Sequence, residues 1–297
     1  MKFSLRKKNG RKATSGSRVI DNEQKYLLSH KSDFFLREAY KTMRTNVTFS
    51  LTEEKDSSVI VVTSSMQGEG KSITAVNLSI SYAQQGKRVI VIDCDMRRPK
   101  LSRLVGVSSP VGLSNTLIKP ELRGQAVLTV EKLGIDVILA GDIPPNPSEL
   151  LGSGKMQRLL DSLKEEYDFI VLDTPPVNMV TDATVLAPKS DGVLFVVRAN
   201  QAERGAVAFA VEQLEYAKAK ILGFVLNGVD MEHTAYGYSN RYKRYHRYRK
   251  YGKYGYGYGG YGYGGYGYGY GYGYGYESQT GTPREDAFVE HPDSKSV

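Results

Sequence analysis

Ser64-Ser-Met-Gln-Gly-Glu-Gly-Lys-Ser72 brings two glycines, a lysine and a terminal hydroxyl together directly behind the apolar run Val59–Thr63. Gly68 and Gly70 let successive backbone amides wrap an anion, and Lys71 offers a point charge to outer phosphates. The Ser72 hydroxyl can ligate Mg2+, and the helix that starts behind it adds amides and dipole. Gln67, Gly68, Glu69, Gly70, Lys71 and Ser72 are therefore the expected nucleotide-binding stretch. One residue departs from Gly-x-x-x-x-Gly-Lys-Ser: its first glycine is Ser65 here. Two carboxylate motifs join this loop. Val89–Ile92 runs into Asp93-Cys94-Asp95-Met96-Arg97, and Phe169–Leu172 runs into Asp173-Thr174-Pro175-Pro176. A single strand-end aspartate is as well explained by a helix cap or a turn. Three such motifs converging on one sheet edge instead predict a nucleoside triphosphate site with Mg2+.

The elements that must carry these motifs are legible as short β-branched runs. They are Val59–Val62, Val89–Ile92, Ile135–Leu139, Phe169–Leu172, Val193–Val197 and Ile221–Leu226. Little polar alternation interrupts them, which is the pattern of strands covered on both faces. Met156, Leu159, Leu160 and Leu163 mark one helix between them; Val207, Val211, Leu214 and Ala217 mark another. A further helix reaches Gln85 with Gly86 as its stop. Ahead of the first strand, Ser32 or Asp33 caps a helix whose buried stripe is Leu36, Tyr40, Met43 and Val47. The expected fold is α/β: a doubly wound, mostly parallel sheet of the P-loop NTPase type with deviant nucleotide motifs.

Composition divides the chain. Of its 22 tyrosines, 17 fall between Tyr236 and Tyr276, so the tail is a separate object from a tyrosine-poor body. Lys2–Arg18 and Arg241–Lys253 each hold seven basic residues without an acid, so the net charge of +8 belongs to these ends and not to a basic globular face. The division expected is a basic disordered arm over 1–20, a nucleotide-binding domain over 21–235 and a Tyr/Gly-rich tail over 236–276. A polar disordered end over 277–297 completes it. Cys94 is the single cysteine, which excludes an internal disulfide and points to a reducing compartment. Without a long apolar run or a secretory leader, the expected location is the cytoplasm. The basic arm is either a lipid-binding or a plain solubilising segment.

The loop ending Gly-Glu-Gly-Lys-Ser, the motifs Asp93-x-Asp95-x-Arg97 and Asp173-Thr-Pro-Pro, and the tyrosine tail together resemble the bacterial tyrosine kinases of capsule and exopolysaccharide synthesis. The particular type is that in which the kinase chain is separate from its transmembrane activator. The segment Gly141-Asp-Ile-Pro-Pro-Asn-Pro-Ser-Glu-Leu-Leu151 is similar to the family's as well. The resemblance covers about residues 30–276. It implies ATP and Mg2+ as cofactors, with Ser72, Asp95 and Asp173 holding the metal and Lys71, Asp93 and Asp95 as catalytic residues. It also implies that Asp93 faces the acceptor phenol. An aspartate near pKa ~3.9 is a poor base for a phenol near ~10, so Asp93 is read as orienting the phenol, with proton acceptance late.

The tail is expected to be the enzyme's own phosphoacceptor, at Tyr254, Tyr256, Tyr258, Tyr261, Tyr263, Tyr266, Tyr268, Tyr270, Tyr272, Tyr274 and Tyr276. Glu38, Lys41 and Arg44 fall on one face of the first helix. By spacing alone they are a solvated face; by resemblance they pack on a neighbouring subunit in a homo-oligomeric ring while the tail is unphosphorylated. The resemblance further implies recruitment to the inner membrane face through the activator, a cognate phosphotyrosine phosphatase and no nucleic-acid partner. The alternative is an oligomerising ATPase scaffold of the MinD or ParA kind with an adhesive tail. Those proteins carry a lysine five positions before the loop lysine, where this chain has Met66.

Overall fold

A computed structural model describes residues 24–51 and 56–229. In chain order the elements are α1 (Phe34–Ser50), β1 (Ser58–Ser64), α2 (Lys71–Ala83), β2 (Val89–Asp93), α3 (Leu101–Val105), α4 (Leu113–Ile118), α5 (Arg123–Ala126), β3 (Val127–Val130) and β4 (Ile135–Ile138). They continue with α6 (Pro147–Gly152), α7 (Gly154–Lys164), β5 (Phe169–Asp173), α8 (Asp182–Leu186), β6 (Gly192–Arg198), α9 (Arg204–Tyr216) and β7 (Ile221–Asn227). Among the described residues the strands form one sheet in the order β3-β4-β2-β5-β1-β6-β7. All pairings are parallel except β3 with β4.

The unbroken apolar runs are explained by burial on both faces of this sheet. Val59 and Val61 of β1 face a core shared with α4, α6, α7, α8 and α9. Ile60 and Val62 face a second core shared with α1, α2 and α3. In a strand, neighbouring side chains point to opposite faces, so both sets must be apolar. Met156, Leu159, Leu160 and Leu163 are the buried stripe of α7. Asp33 caps α1 by accepting the Phe35 N–H at 2.8 Å, and Tyr40 and Val47 are its buried residues. Gly86 adopts φ +80° where the chain turns out of α2.

Three local expectations are revised. β3 was not among the expected runs: it is an antiparallel edge strand, largely half-exposed, so Val127–Val130 lacks a long apolar signature. β7 is an edge strand and not a doubly buried one, leaving Phe224 and Leu226 57% and 61% exposed. On α9 the fully buried residues are Ala210 and Leu214, while Val207 and Val211 are half-buried and Ala217 ends the helix. The arm over 1–20 and the segments 236–276 and 277–297 lie outside the described residues.

Candidate active site

Strand register assembles the three motifs. β5 lies between β1 and β2, with Val62 and Asp93 each paired to Asp173. The chain leaves β1 at Ser64, β2 at Asp93 and β5 at Asp173, so the loop and both carboxylate motifs open on the same edge. Ligands of open α/β sheets bind at such carboxyl edges.

The loop after β1 makes two left-handed turns, at Gly68 (φ +83°) and at Gly70 (φ +94°), and Gly70 leads straight into α2. Both turns require glycine, since a Cβ is strained in this region. The serine that replaces the expected first glycine has a partner of its own. The Ser65 hydroxyl donates to the Glu69 carboxylate at 2.9 and 3.1 Å, and the Met66 N–H donates to it at 2.7 Å. Glu69 is 1% exposed, so this charge lies inside the loop and braces it. Gln67 turns outward and accepts from Arg98 at 3.1 Å. The side chains of Gln67 and Glu69 thus shape the loop, and its amides remain the groups suited to an anion.

Two loop contacts were not anticipated. Asn227, the last residue of β7, donates to the Glu69 carbonyl at 2.9 Å, and Arg198, the last of β6, donates to the Gly68 carbonyl at 3.2 Å. A Cβ on Gly70 would come within 1.9 Å of the Asn227 amide nitrogen. The signal that could have found both residues is the one that found the aspartates: each is polar and ends an apolar strand.

The carboxylates differ in partners. Asp93 is 1% exposed and accepts the N–H groups of Asp95 at 3.1 Å, Lys100 at 3.2 Å and Leu101 at 3.0 Å. These three bonds tie the turn from β2 into α3 to the Asp93 carboxylate. Burial, with the adjacent Asp173 charge, pushes its carboxyl up to about 8 against the opposing pull of the Leu101 N–H. Asp95 lies 3.8 Å from the Lys71 ammonium and accepts the Arg98 N–H at 3.0 Å. Asp173 is equally buried, yet neither of its oxygens has a hydrogen-bond partner. Burial raises its carboxyl, and the nearby Lys71 charge and Ser72 hydroxyl oppose the rise.

Among the described residues no three histidine, cysteine or carboxylate side chains cluster as a self-sufficient metal site. Mg2+ does not require one: it usually takes one or two carboxylates and fills its shell with phosphate oxygens and water. Two orphaned carboxylate oxygens at Asp173, beside Ser72 and within reach of the Lys71 and Asp95 pair, fit that donor set.

Within the segment Gly141–Leu151, Ser148 joins a node that local sequence does not show. Arg97 grips the fully buried Asp182 through two bonds of 3.1 and 3.2 Å and donates to Ser148 at 3.1 Å. The Ser148 hydroxyl donates in turn to Asp182. On α1, Lys41 pairs with Glu38 at 2.8 Å, whereas Arg44 leaves that pair and binds the Ser81 carbonyl and hydroxyl of α2.

The AAA-domain family model matches residues 57–220, which span β1 to the last turn before β7. Tyrosine-protein kinase YwqD of Bacillus subtilis is 40% identical over 202 residues, covering 68% of this chain and 85% of that protein. Tyrosine-protein kinase CpsD of Streptococcus agalactiae is 35% identical over 71% of this chain and 95% of its own length. The chain belongs to the bacterial tyrosine-protein kinases. The solved kinase domain of the Escherichia coli tyrosine kinase ETK superposes with a TM-score of 0.63 at 33% identity, over 68% of this chain and 79% of that one. The residues matched by the family model, 57–220, include the phosphate loop and both carboxylate motifs. No helix among the described residues is long and apolar enough to cross a membrane.

Proposed function

We propose that this kinase binds ATP with Mg2+ across the ends of β1, β2 and β5 and transfers the γ-phosphoryl group to tyrosines of its own segment 236–276. The observation that carries the reading is Asp173, a buried carboxylate with two unpaired oxygens beside Lys71 and Ser72. A buried charge left without hydrogen bonds is costly, so a cation is its natural complement.

Ser72, Asp95 and Asp173 would hold Mg2+, which would supply positive charge against the charge that builds up on the phosphates during transfer. The chain's own groups do the rest. Loop amides of 67–72 hold the phosphates, Lys71 places its charge against the outer ones, and Asp95 and Asp173 fix the metal side. The phenol oxygen bonds to the γ-phosphorus as the bond to the β,γ-bridging oxygen breaks, and ADP leaves. Such transfer has a loose transition state in which positioning dominates, and the phenol proton departs late to solvent. Asp93 contributes by holding the turn that carries Asp95.

The acceptor assignment is supported by the 17 tyrosines between Tyr236 and Tyr276, which follow the fold in the same chain. Each phosphate adds about −1.5 to −2 charges, so four or five would offset the seven basic residues of Arg241–Lys253. In this reading the unphosphorylated chain assembles into a homo-oligomer that phosphorylation loosens. Its contact on α1 centres on the Glu38 and Lys41 pair, since Arg44 is committed to Ser81. A membrane-spanning activator, an opposing phosphotyrosine phosphatase and control of capsule or exopolysaccharide synthesis complete the proposal.

Mass spectrometry of the tail after incubation with Mg-ATP tests it, wild type beside Lys71→Met. Phosphotyrosine should accumulate within 236–276 in the wild type and be absent from the variant. Equal phosphorylation of both, or nucleotide hydrolysis without tail phosphotyrosine, overturns it; the second result favours the scaffold ATPase.

A further inference from the structure

Asp95 sits in the segment 94–100, which connects β2 to α3, and that segment is strung between three anchors. At its start, Asp93 takes the N–H groups of Asp95, Lys100 and Leu101. At the loop side, Arg98 donates to Gln67 at 3.1 Å while its own N–H is accepted by Asp95 at 3.0 Å. The third anchor is Arg97, whose guanidinium reaches Asp182 and Ser148. Asp182 begins α8, nine residues beyond Asp173, and its side chain is fully buried while that of Arg97 is 40% exposed. One node therefore joins the turn bearing Asp95, the segment after Asp173 and the proline-stiffened entry to α6. Thr181 adds a further bond to Ser148 at 3.2 Å.

We propose that the Arg97–Asp182 pair, closed by the Ser148 hydroxyl, is a positioning device that sets the Asp95 carboxylate against Asp173 for a divalent cation. It acts through the backbone of Asp95–Arg97 and touches neither metal nor nucleotide. A planar guanidinium bonded twice to one carboxylate fixes distance and orientation together, which a lysine cannot do. Outer groups of this kind set how well ligands are aimed at a metal, and removing one typically weakens metal binding ~10–100-fold. The inference rests on the nucleotide reading above, since without a metal-nucleotide site there is nothing to aim.

The test uses the full chain and the fluorescence of N-methylanthraniloyl-ADP, titrated without metal and then with MgCl2. Arg97→Lys and Asp182→Asn should raise the Mg2+ concentration for half-maximal enhancement by about tenfold or more. Their metal-free nucleotide affinity should stay within about twofold of wild type, because the phosphate loop is not part of the node. Ser148→Ala should show a smaller shift in the same direction. Arg88→Gln, which removes the Arg88–Asp168 pair at the opposite edge of the sheet, serves as the control and should leave the Mg2+ response unchanged.

If Asp182→Asn fails to fold, as seen by thermal unfolding, Arg97→Lys and Ser148→Ala still decide the matter. An unchanged Mg2+ response in these variants overturns the positioning device and leaves the nucleotide reading standing. A parallel loss of metal-free binding overturns it too, because that marks a general structural role. Nucleotide binding by the wild type with no Mg2+ response removes both readings.

Discussion

Asp93 and Asp173 end adjacent strands and face each other across one rung of the sheet, yet they are built into opposite situations. Asp93 accepts three backbone N–H groups, while Asp173 accepts none, although both are about 1% exposed. The contrast separates two uses of a strand-end carboxylate. One has its bonds supplied by the fold and serves the fold. The other is left unsatisfied, which the fold tolerates at a cost to its stability, and stays available for something from outside. Functional sites concentrate such local costs.

The comparison can be broken most forcefully at Asp173. Asp173→Asn should lower tail phosphorylation by at least about a thousandfold if electrostatic positioning is the main catalytic term. The same change should raise the melting temperature of the metal-free protein, because burial disfavours the Asp173 charge by more than the nearby Lys71 and Ser72 favour it. A fall in melting temperature would show that the Lys71 and Ser72 interactions outweigh the cost of burial.

Gly70→Ala comes next. At φ +94°, with its Cβ driven onto Asn227, the variant should lose nucleotide binding in the same fluorescence titration. Retained binding would mean that the loop reshapes freely around residue 70.

Asp93→Asn should behave unlike its neighbour. An amide can accept with its oxygen but presents its nitrogen to N–H donors, so about 1–3 kcal/mol of stability should be lost. Denaturant titration reads this directly, and stability equal to wild type would erase the distinction between the two aspartates.

The smallest effect belongs to an exposed pair. Replacing Arg88 should cost under about 1 kcal/mol in denaturant titration, since surface ion pairs contribute little. A larger loss would place the Arg88–Asp168 link among the structural supports of the sheet.

The loop, both aspartate motifs and six of the seven strands among the described residues were legible because each announces itself within a few residues. A glycine pattern, or an apolar run ending in a carboxylate, is a local signal. The Arg97–Asp182 node was not legible: its members are 85 and 34 residues apart along the chain and share no pattern. Arg44 reads as part of a helical face at i, i+3, i+6, and only tertiary packing reveals that Ser81 competes for it. The bonds to Asp93 were illegible for a related reason: their donors are backbone amides, which leave no trace in residue identity.

The bond from Asn227 to the Glu69 carbonyl spans 158 residues. Ribosomes add about 5–20 residues per second, so about 10–30 s separate synthesis of the loop from synthesis of its last brace. During that interval the loop lacks the support that β7 provides, and any early grip on nucleotide would be made without it. The order of manufacture thus completes the loop with β7 before the tyrosines of 236–276 are made.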